Sequence, residues 1–351
     1  MSVSESQPAG SEYPLNVSRA YPVPDVTGTL KAVPEDFVVE EQLGFEPSGE
    51  GEHLWLWVEK RELTTQAVIG DLARQLGVAR RDIGYSGLKD KIAVTRQWFS
   101  VPWPIKKESP DIPGTERWSL QAMARHDRKL KRGVHKTNAF KLRITQIEGD
   151  HNLVDERLAL IQQQGFPNYF GEQRFGFGGA NVKKAERMFA GALKCKRAER
   201  SIYLSAVRSW FFNQYLSERI ARSDWCRSID GDCFSLAGTG SVFGPEDSNQ
   251  ELDQRLLDGD IHIAGPMVGE RSRLAAEALA IQQQVEQRAD QLKQGLLDAR
   301  MESALRALRV IPLEMTWQWE GDALSIAFVL PTGAFATALV REMIQVNGAL
   351  W

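Results

Sequence analysis

A short loop with two glycines presents two adjacent charged side chains. Residues 84–90 read Gly-Tyr-Ser-Gly-Leu-Lys-Asp. Because glycine adopts backbone conformations that other residues avoid, Gly84 and Gly87 predict a sharply turned loop with Lys89 and Asp90 at its tip. The lysine would favour the ionised aspartate and can also meet a phosphate. A lone carboxylate can serve as nucleophile or base. A solvated turn with an incidental ion pair is the alternative.

A basic segment leads into a possible base-binding pair of side chains. Asn138 can hydrogen-bond the edge of a nucleobase, and Phe140 can stack on its face. The candidate phosphate contacts beside them are Lys129, Lys131, Arg132 and Lys136. The alternative is a solvated basic loop that runs into a core strand.

Two further segments combine aromatic residues with glycine. Residues 167–176 hold three aromatics and one arginine, which suits a nucleic-acid surface and equally a hinge between domains. Residues 331–335, Pro-Thr-Gly-Ala-Phe, join a predicted strand to a predicted helix. Loops at such junctions often contact substrate, so Phe335 is a candidate contact, and a plain turn with a buried ring is the alternative.

Several classes of site have no motif in the sequence. There is no GxxxxGK[ST] phosphate loop and no HExxH zinc motif, and the five histidines show no metal-ligand spacing. Residues 238–244 come within one position of GxGxxG, but they lie in a loop-rich stretch. The sequence therefore predicts neither a metal nor an organic cofactor.

Composition and charge are those of an ordinary globular protein. Of 351 residues, 42% are hydrophobic and 25% are charged, and no apolar run is long enough to span a membrane. The net charge is only −3, but basic residues concentrate in 125–143 and 183–200, where they can attract a polyanion. The three cysteines form no CxxC pair, which favours a reduced, cytoplasmic protein.

Hydrophobic periodicity predicts strands at both ends of the chain and helices in the middle. The predicted strands are 37–41, 53–58, 98–101 and 140–144, with a hairpin over 315–330. The predicted helices are 65–76, 152–164, 201–222, 274–308 and 337–346. Residues 224–265 are predicted to be mostly loop.

This order of elements indicates a helical domain inserted into a mixed α/β (α+β) domain. The last 40 residues are too few to form a core alone, so they should rejoin the first part. The predicted organisation is a partly ordered leader over 1–27, one domain from 28–164 plus 312–351, and an insertion over 165–311.

Five segments together resemble one known family. Residues 37–41, 84–90, 138–140, 168–176 and 331–335 are similar, in this order and spacing, to the motifs of the TruD family of tRNA pseudouridine synthases. The resemblance covers almost the whole chain from about residue 28. It implies a pseudouridine synthase catalytic domain with a mixed sheet, interrupted by a largely helical TRUD domain.

The resemblance also implies an activity and a set of site residues. Family members convert uridine 13 in the D arm of tRNA to pseudouridine, so tRNA is the expected partner and no cofactor is expected. The catalytic aspartate falls on Asp90, and substrate contacts fall on Phe37, Asn138 and Phe335. Phe140 matches the aromatic residue that stacks on the target base, and Lys89 is the expected electrostatic partner of Asp90. A monomer is expected.

Three other functions remain open on the residues alone. The basic and aromatic segments would also suit an RNA-binding protein without catalysis, and residues 238–244 would suit an RNA methyltransferase. A nucleoside or glycoside hydrolase would need a second carboxylate, which Glu40 or Glu41 could supply.

Overall fold

The computed structural model describes residue 13, residues 15–22 and residues 25–347. The predicted leader therefore lies partly outside the described residues. Its described part packs on the rest of the chain. The hydroxyl of Tyr169 donates to the carbonyl oxygen of Ser18 at 2.9 Å, and the main-chain N–H of Ala20 donates to Glu342 at 2.9 Å.

The described residues contain both helices and strands. The α-helices are α1 (Thr65–Leu76), α2 (His151–Gln164), α3 (Ala180–Phe189), α4 (Arg197–Ala221), α5 (Gln250–Leu257), α6 (Ala276–Gln287), α7 (Asp290–Asp298) and α8 (Ala336–Met343). The strands before the middle of the chain are β1 (Thr27–Leu30), β2 (Phe37–Gln42), β3 (His53–Arg61), β4 (Gly84–Tyr85), β5 (Val94–Pro102), β6 (Trp118–His126), β7 (Thr137–Glu148) and β8 (Phe166–Pro167). The later strands are β9 (Asp232–Leu236), β10 (Val242–Glu246), β11 (Ile261–Met267), β12 (Ala304–Ala307), β13 (Arg309–Val310), β14 (Leu313–Glu320), β15 (Ala323–Pro331) and β16 (Gln345–Val346).

One large mixed sheet unites the two ends of the chain. Its ten strands follow the order β14-β15-β7-β2-β5-β3-β6, with β1, β16 and β4 attached at the side. Strand β15, from near the chain end, pairs along its length with β7, and β2 pairs with both β7 and β5. The mixed α/β fold class predicted from the sequence is confirmed.

Helices cover one face of this sheet in two separate patches. Helix α1 buries Val68, Ile69 and Leu72 against β3 and β5. Helices α2 and α8 pack over β7, β2 and β15. Residues directly opposite one another across strands share a face, and the register aligns Val39 of β2 with both Thr95 of β5 and Phe140 of β7. Both apolar patches therefore lie on one face. The polar band between them is formed by buried side chains of four strands: Lys60, Thr95, Gln97, Glu41 and Asn138.

Helix α1 ends where its sequence signals predict. The hydroxyl of Thr64 accepts a hydrogen bond from the main-chain N–H of Ala67 at 3.2 Å, which satisfies one of the free donors of the first turn. Gly77 ends the helix in the left-handed conformation, at φ 66°. The helix thus begins and ends within one residue of the prediction.

A second sheet lies in the middle of the chain. Its order is β10-β9-β11-β12, and the rings of Phe212 and Tyr215 on α4 approach Gly265 of β11. The two short strands β8 and β13 pair where the chain leaves and rejoins the large sheet. The chain therefore leaves the large sheet once, forms the second sheet, and returns to the large sheet once.

Two predictions for this middle region are wrong in part. Residues 224–265 were predicted as loop but hold β9, β10, α5 and β11, because their strands are short and separated by turns that hide the alternation. The single helix predicted over 274–308 is two helices, α6 and α7, and α7 ends at Asp298; Arg300, at φ 50°, then directs the chain into β12. Strand pairing with β11 then overrides the helical pattern.

Residues 238–244 span the turn between β9 and β10 and the first three residues of β10, in an antiparallel hairpin. A dinucleotide or related fingerprint requires glycines between a strand and the start of a helix, and this context is absent here. Among the described residues, none of the helices has the length and apolarity that crossing a bilayer requires.

Gly84 allows the start of the Asp90 loop to lie directly against its neighbours. A Cβ at Gly84 would clash with the carbonyl oxygen of Leu130 and the hydroxyl of Ser100. We expect Gly84→Ala to lower the free energy of unfolding by about 1–3 kcal/mol, as for other overpacked sites. Gly240 has open space around its Cβ position, so Gly240→Ala should change stability by less than about 0.5 kcal/mol. Urea denaturation of both variants checks this, and equal losses would contradict it.

Candidate active site

The loop that carries Asp90 is anchored at its main chain. Strand β4 pairs with β5, and residues 86–93 then cross the polar band. The ammonium of Lys60, on β3, donates to the carbonyl oxygen of Asp90 at 2.6 Å. Burial lowers the pKa of Lys60 to about 8, and the charge of Asp90 opposes this shift. Lys60 therefore keeps its charge at neutral pH and holds the backbone of Asp90 to the sheet.

The carboxylate of Asp90 forms an ion pair with Lys31. The Asp90 side chain is 35% exposed, and its Oδ2 lies 3.3 Å from the Nζ of Lys31. The same ammonium lies 4.0 Å from the centre of the Phe37 ring, within the range of a cation–π contact. Lys31 itself adopts a φ of 61°, which is uncommon for a residue with a side chain. One cation thus links the acid to an aromatic ring.

Lys89 does not contact Asp90. Its Nζ lies 2.9 Å from the Oε2 of Glu41, and the two side chains are 6% and 0% exposed. Burial raises the pKa of Glu41, and the charge of Lys89 opposes that rise. The adjacency of Lys89 and Asp90 predicts that they pair and that Lys89 can reach a phosphate, but Lys89 instead forms a buried ion pair that joins the loop to β2.

Polar side chains complete the attachment of the loop. The main-chain N–H of Lys89 donates to the hydroxyl of Thr65 at 3.0 Å, and that hydroxyl donates to Gln97 at 2.9 Å. The amide of Gln97 donates to the carbonyl oxygen of Gly87 at 3.0 Å. Helix α1, strand β5 and the loop therefore share one hydrogen-bond network beneath Asp90.

Aromatic rings continue the face beyond the polar band. Phe37 and Phe140 are buried and meet edge to face, with ring centres 6.2 Å apart. Phe140 also stacks on Phe328 at 5.4 Å. Through Lys31, the structure brings Asp90, Phe37 and Phe140 into one chain of contacts.

Phe335 lies where the two large hydrophobic clusters meet. It precedes α8, packs against both clusters and contacts the ring of Phe170 at 6.1 Å. The loop before it is tied to the segment that precedes β7, because the hydroxyl of Thr332 donates to the carbonyl oxygen of His135 at 2.6 Å. Phe335 thus lies beside the segment that leads to Asn138, without direct contact with Asp90.

Asn138 lies in the polar band on β7 and is 8% exposed. Its Nδ2 is 3.2 Å from the Nε2 of His135, whose Nδ1 is 2.5 Å from the hydroxyl of Ser86. Burial, aided by the charge of Lys89, lowers the pKa of His135 to about 4. His135 is therefore neutral at physiological pH.

The predicted phosphate contacts border this site on an exposed loop. Lys131, Arg132 and Lys136 are exposed, and Lys129 donates to the carbonyl oxygen of Arg81 at 2.8 Å. Arg132 lies over the ring of Tyr85 at 4.9 Å. The loop is joined to the Asp90 loop by a hydrogen bond of 2.8 Å from the N–H of Gly133 to the carbonyl oxygen of Ser86.

Sequence reasoning missed Lys31, Lys60 and His135. None of them lies in a recognisable motif, and each reaches the site through a contact between distant parts of the chain. Lys31 is 59 residues from Asp90, and Ser86 is 49 residues from His135. The sequence feature that could have pointed to Lys31 is its position shortly before the strand predicted over 37–41. Metal-binding clusters of histidine, cysteine, aspartate and glutamate are absent from the residues that the structure describes.

Glu40 and Glu41, the two candidates for a second acid, differ in burial and in ion-pair partner. Glu41 is buried against Lys89, whereas Glu40 faces the opposite side of the sheet and pairs with Arg96 at 3.0 Å. Neither of these two carboxylates is free beside Asp90, so neither is placed to act as the second acid of a glycoside hydrolase.

These two glutamates provide a matched test of the buried ion pair. Glu41→Gln would leave the buried ammonium of Lys89 opposite a neutral amide, and we expect the free energy of unfolding to fall by about 3–5 kcal/mol. Glu40→Gln removes a partly exposed pair and should cost less than about 1 kcal/mol. Chemical denaturation at neutral pH measures both, and a similar cost at the two positions would refute the distinction.

Comparison with known proteins gives a consistent family. The family model described as tRNA pseudouridine synthase D (TruD) matches residues 18–184 and 180–343. A protein named tRNA pseudouridine synthase D from Pseudomonas putida is 45% identical over 344 residues, which cover 97% of each chain. The protein of that name from Stutzerimonas stutzeri is 44% identical over 335 residues, covering 94% of this chain and 96% of its own.

A solved structure shares the fold. The crystal structure of a protein described as tRNA pseudouridine synthase D (TruD) from Methanosarcina mazei superposes with a TM-score of 0.69 at 18% identity, covering 94% of this chain and 96% of that chain. At this identity the likeness concerns the fold alone. The family-model match and the sequence relatives cover nearly the whole chain, and they establish that this chain belongs to the TruD family of tRNA pseudouridine synthases.

Proposed function

We propose that this protein isomerises uridine 13 in the D arm of tRNA to pseudouridine, with Asp90 as the catalytic carboxylate. Family membership supports the reaction and the tRNA substrate. The observation that carries the assignment of Asp90 is its position: a partly exposed carboxylate, paired with Lys31, whose ammonium also covers the buried ring of Phe37. The enzyme acts in the cytoplasm as a monomer and uses neither a metal nor an organic cofactor.

The isomerisation breaks one bond and forms another within the same nucleotide. The bond between C1′ of the ribose and N1 of uracil breaks, the detached base turns, and its C5 bonds to C1′ while the proton leaves C5 for N1. Asp90 assists either by attacking C1′ or by taking a proton from C2′. In both routes one carboxylate suffices, and Asp90 is again a free carboxylate when the reaction is complete.

Lys31 holds the carboxylate in a defined place. Its ammonium contacts both Oδ2 of Asp90 and the ring of Phe37, so the acid and the base-binding surface are positioned by one group. The hydrogen bond from Lys60 restrains the main chain of the same residue. A carboxylate positioned in this way needs little rearrangement to meet a reacting sugar.

The base must leave the RNA helix to reach Asp90. Flipping costs a few kcal/mol of unstacking, which contacts inside the pocket offset. The pocket proposed for the detached uracil forms as Lys31 moves off the buried ring of Phe37; its walls are then Phe37, Phe140 and Phe335, and Asn138 supplies a hydrogen-bonding amide. Retaining the free base in this pocket is what separates isomerisation from hydrolysis.

Positive surface on two parts of the chain suits the tRNA backbone. The exposed loop with Lys129, Lys131, Arg132 and Lys136 adjoins the Asp90 loop. A groove of about 400 Å³ on α4 is lined by residues that include Arg197 and Arg200. We assign residues 28–164 plus 312–351 to the catalytic domain and residues 165–311 to the inserted one, with tRNA bound across both.

The replacement Asp90→Asn tests the catalytic assignment. The amide keeps the size of the side chain but cannot act as nucleophile or base, so no pseudouridine should form, while the affinity for tRNA stays within about tenfold. Exposed Asp111→Asn is the matched control and should retain full activity. Pseudouridine is mapped by position in two tRNAs, one with uridine and one with cytidine at position 13. Product from Asp90→Asn, or product at another position, would refute the corresponding part of the proposal.

The replacement Lys31→Met tests the positioning of the acid. Methionine keeps an unbranched side chain but removes the charge that contacts Asp90 and Phe37. We expect the single-turnover rate at saturating tRNA to fall at least about tenfold, because the carboxylate loses its fixed position. Exposed Lys106→Met controls for the loss of one positive charge near a polyanion. An unchanged rate for Lys31→Met would show that the ion pair has no part in catalysis.

A further inference from the structure

Asn138 is buried with only one of its two amide atoms engaged. Its Nδ2 meets the Nε2 of His135 at 3.2 Å, whereas its Oδ1 has no hydrogen-bond partner among the described residues. A buried polar atom without a partner costs free energy, so such atoms call for an explanation. The carbonyl oxygen is covered by protein in this structure, and a base would reach it as the surrounding rings shift.

Two hydrogen-bond arrangements are compatible with these positions. The Ser86 oxygen already accepts the main-chain N–H of His135 at 2.9 Å. In the first arrangement, the Nδ1–H of His135 donates to Ser86, its Nε2 accepts from the Nδ2 of Asn138, and both Oδ1 and the hydroxyl proton of Ser86 are left over. In the second, Ser86 donates to Nδ1, Nε2–H donates to the oxygen of Asn138, and the NH₂ group is left over.

Glu41 decides between the two arrangements. Its Oε2 lies 3.8 Å from the Nδ1 of His135, and its side chain is fully buried. The first arrangement turns a proton towards this carboxylate, whereas the second turns a lone pair towards it. In a poorly solvated band the repulsion in the second case is substantial. Lys89, at 2.9 Å, stabilises the charged form of Glu41.

The histidine must also remain neutral for this choice to exist. A doubly protonated ring would donate from both nitrogens and would require the oxygen of Asn138 as its acceptor. The low pKa of His135, about 4, keeps the ring neutral under physiological conditions. The nearby charged groups are Lys89 and Glu41, and they act together: the lysine disfavours a second proton, and the glutamate places the single proton on Nδ1.

We propose that His135 is a positioning residue that fixes the amide of Asn138 with Oδ1 as a hydrogen-bond acceptor for the N3–H of uracil. This inference rests on the proposed function. Uracil carries a proton on N3, whereas cytosine presents a lone pair at the same place. A fixed carbonyl oxygen therefore accepts a hydrogen bond from uracil and repels cytosine. Ser86, His135 and Glu41 together make the site selective, although none of them touches the base.

The test compares two RNAs that differ only at the target base. One carries uridine, and its half-saturating concentration and rate are measured in single turnover. The other carries cytidine, and its inhibition constant is measured by competition. The ratio of the inhibition constant to the half-saturating concentration reports selectivity. His135→Phe removes both ring nitrogens at similar size. It should lower this ratio at least about fivefold, mainly by weakening the binding of the RNA that carries uridine.

Ser86→Ala provides a second variant with a smaller change in packing. It removes the acceptor for the Nδ1 proton and should lower the ratio in the same direction. His151→Phe is the matched control, because His151 stacks on Trp319 at 3.8 Å outside this network, and its ratio should match that of the unaltered protein. Thermal unfolding of each variant identifies a loss of folded protein.

The outcomes separate the inference from the proposed function. If the unaltered protein makes no pseudouridine, the proposed function fails and this inference fails with it. If the unaltered protein is active but His135→Phe and Ser86→Ala keep its selectivity ratio, the inference alone is overturned. If binding of both RNAs weakened by the same factor, His135 would have a purely structural role, and the inference would be overturned as well.

Discussion

The buried ion pair between Lys89 and Glu41 is the contact on which the site depends. It joins the Asp90 loop to the second strand of the large sheet, and neither charge is appreciably exposed to water. Removing two charges from water costs several kcal/mol per ion, which their mutual attraction only partly repays. Such a pair is a poor way to gain stability. Its effect here is geometric, because it specifies one position for the residue beside Asp90.

The ion pair lies in a polar band between two apolar patches on one face of the sheet. Each patch is closed by its own helices, α1 on one side and α2 with α8 on the other. A sheet face covered entirely by apolar contacts would leave no room for a polar substrate. The gap between the helices exposes Asp90 while the strands beneath keep its supports rigid. Long paired strands are well suited to this, since their side-chain positions are set by register.

The sequence predicted the elements whose periodicity is long and uninterrupted. Helix α1 and the hairpin of β14 and β15 appear where the pattern places them. The strands around Asp232 and Ile263 were missed because each is short and depends on pairing with distant segments. The same limit applied within the site. The Asp90 loop was recognisable from its glycines, but its partner Lys31 was not, because a contact across 59 residues leaves no local pattern.

Lys89 shows why adjacency in sequence is a weak guide to electrostatic partners. Two neighbouring residues in an extended loop direct their side chains to opposite sides. Once Asp90 faces outward, Lys89 faces the sheet and requires a buried acid, which Glu41 provides. The identity of that acid follows only from the register of β2 against β7, where Glu41 lies opposite Asn138.

The second sheet also supports the candidate site. Arg306, on β12 of the second sheet, donates to the carbonyl oxygen of Gly333 at 2.9 Å and lies over the ring of Phe170 at 4.1 Å. Phe170 in turn contacts Phe335. If Phe335 closes the base pocket, one wall of that pocket is held by a side chain from the insertion. A shift of the second sheet would then move Arg306 relative to Gly333 and Phe170, and through them it would change the position of Phe335.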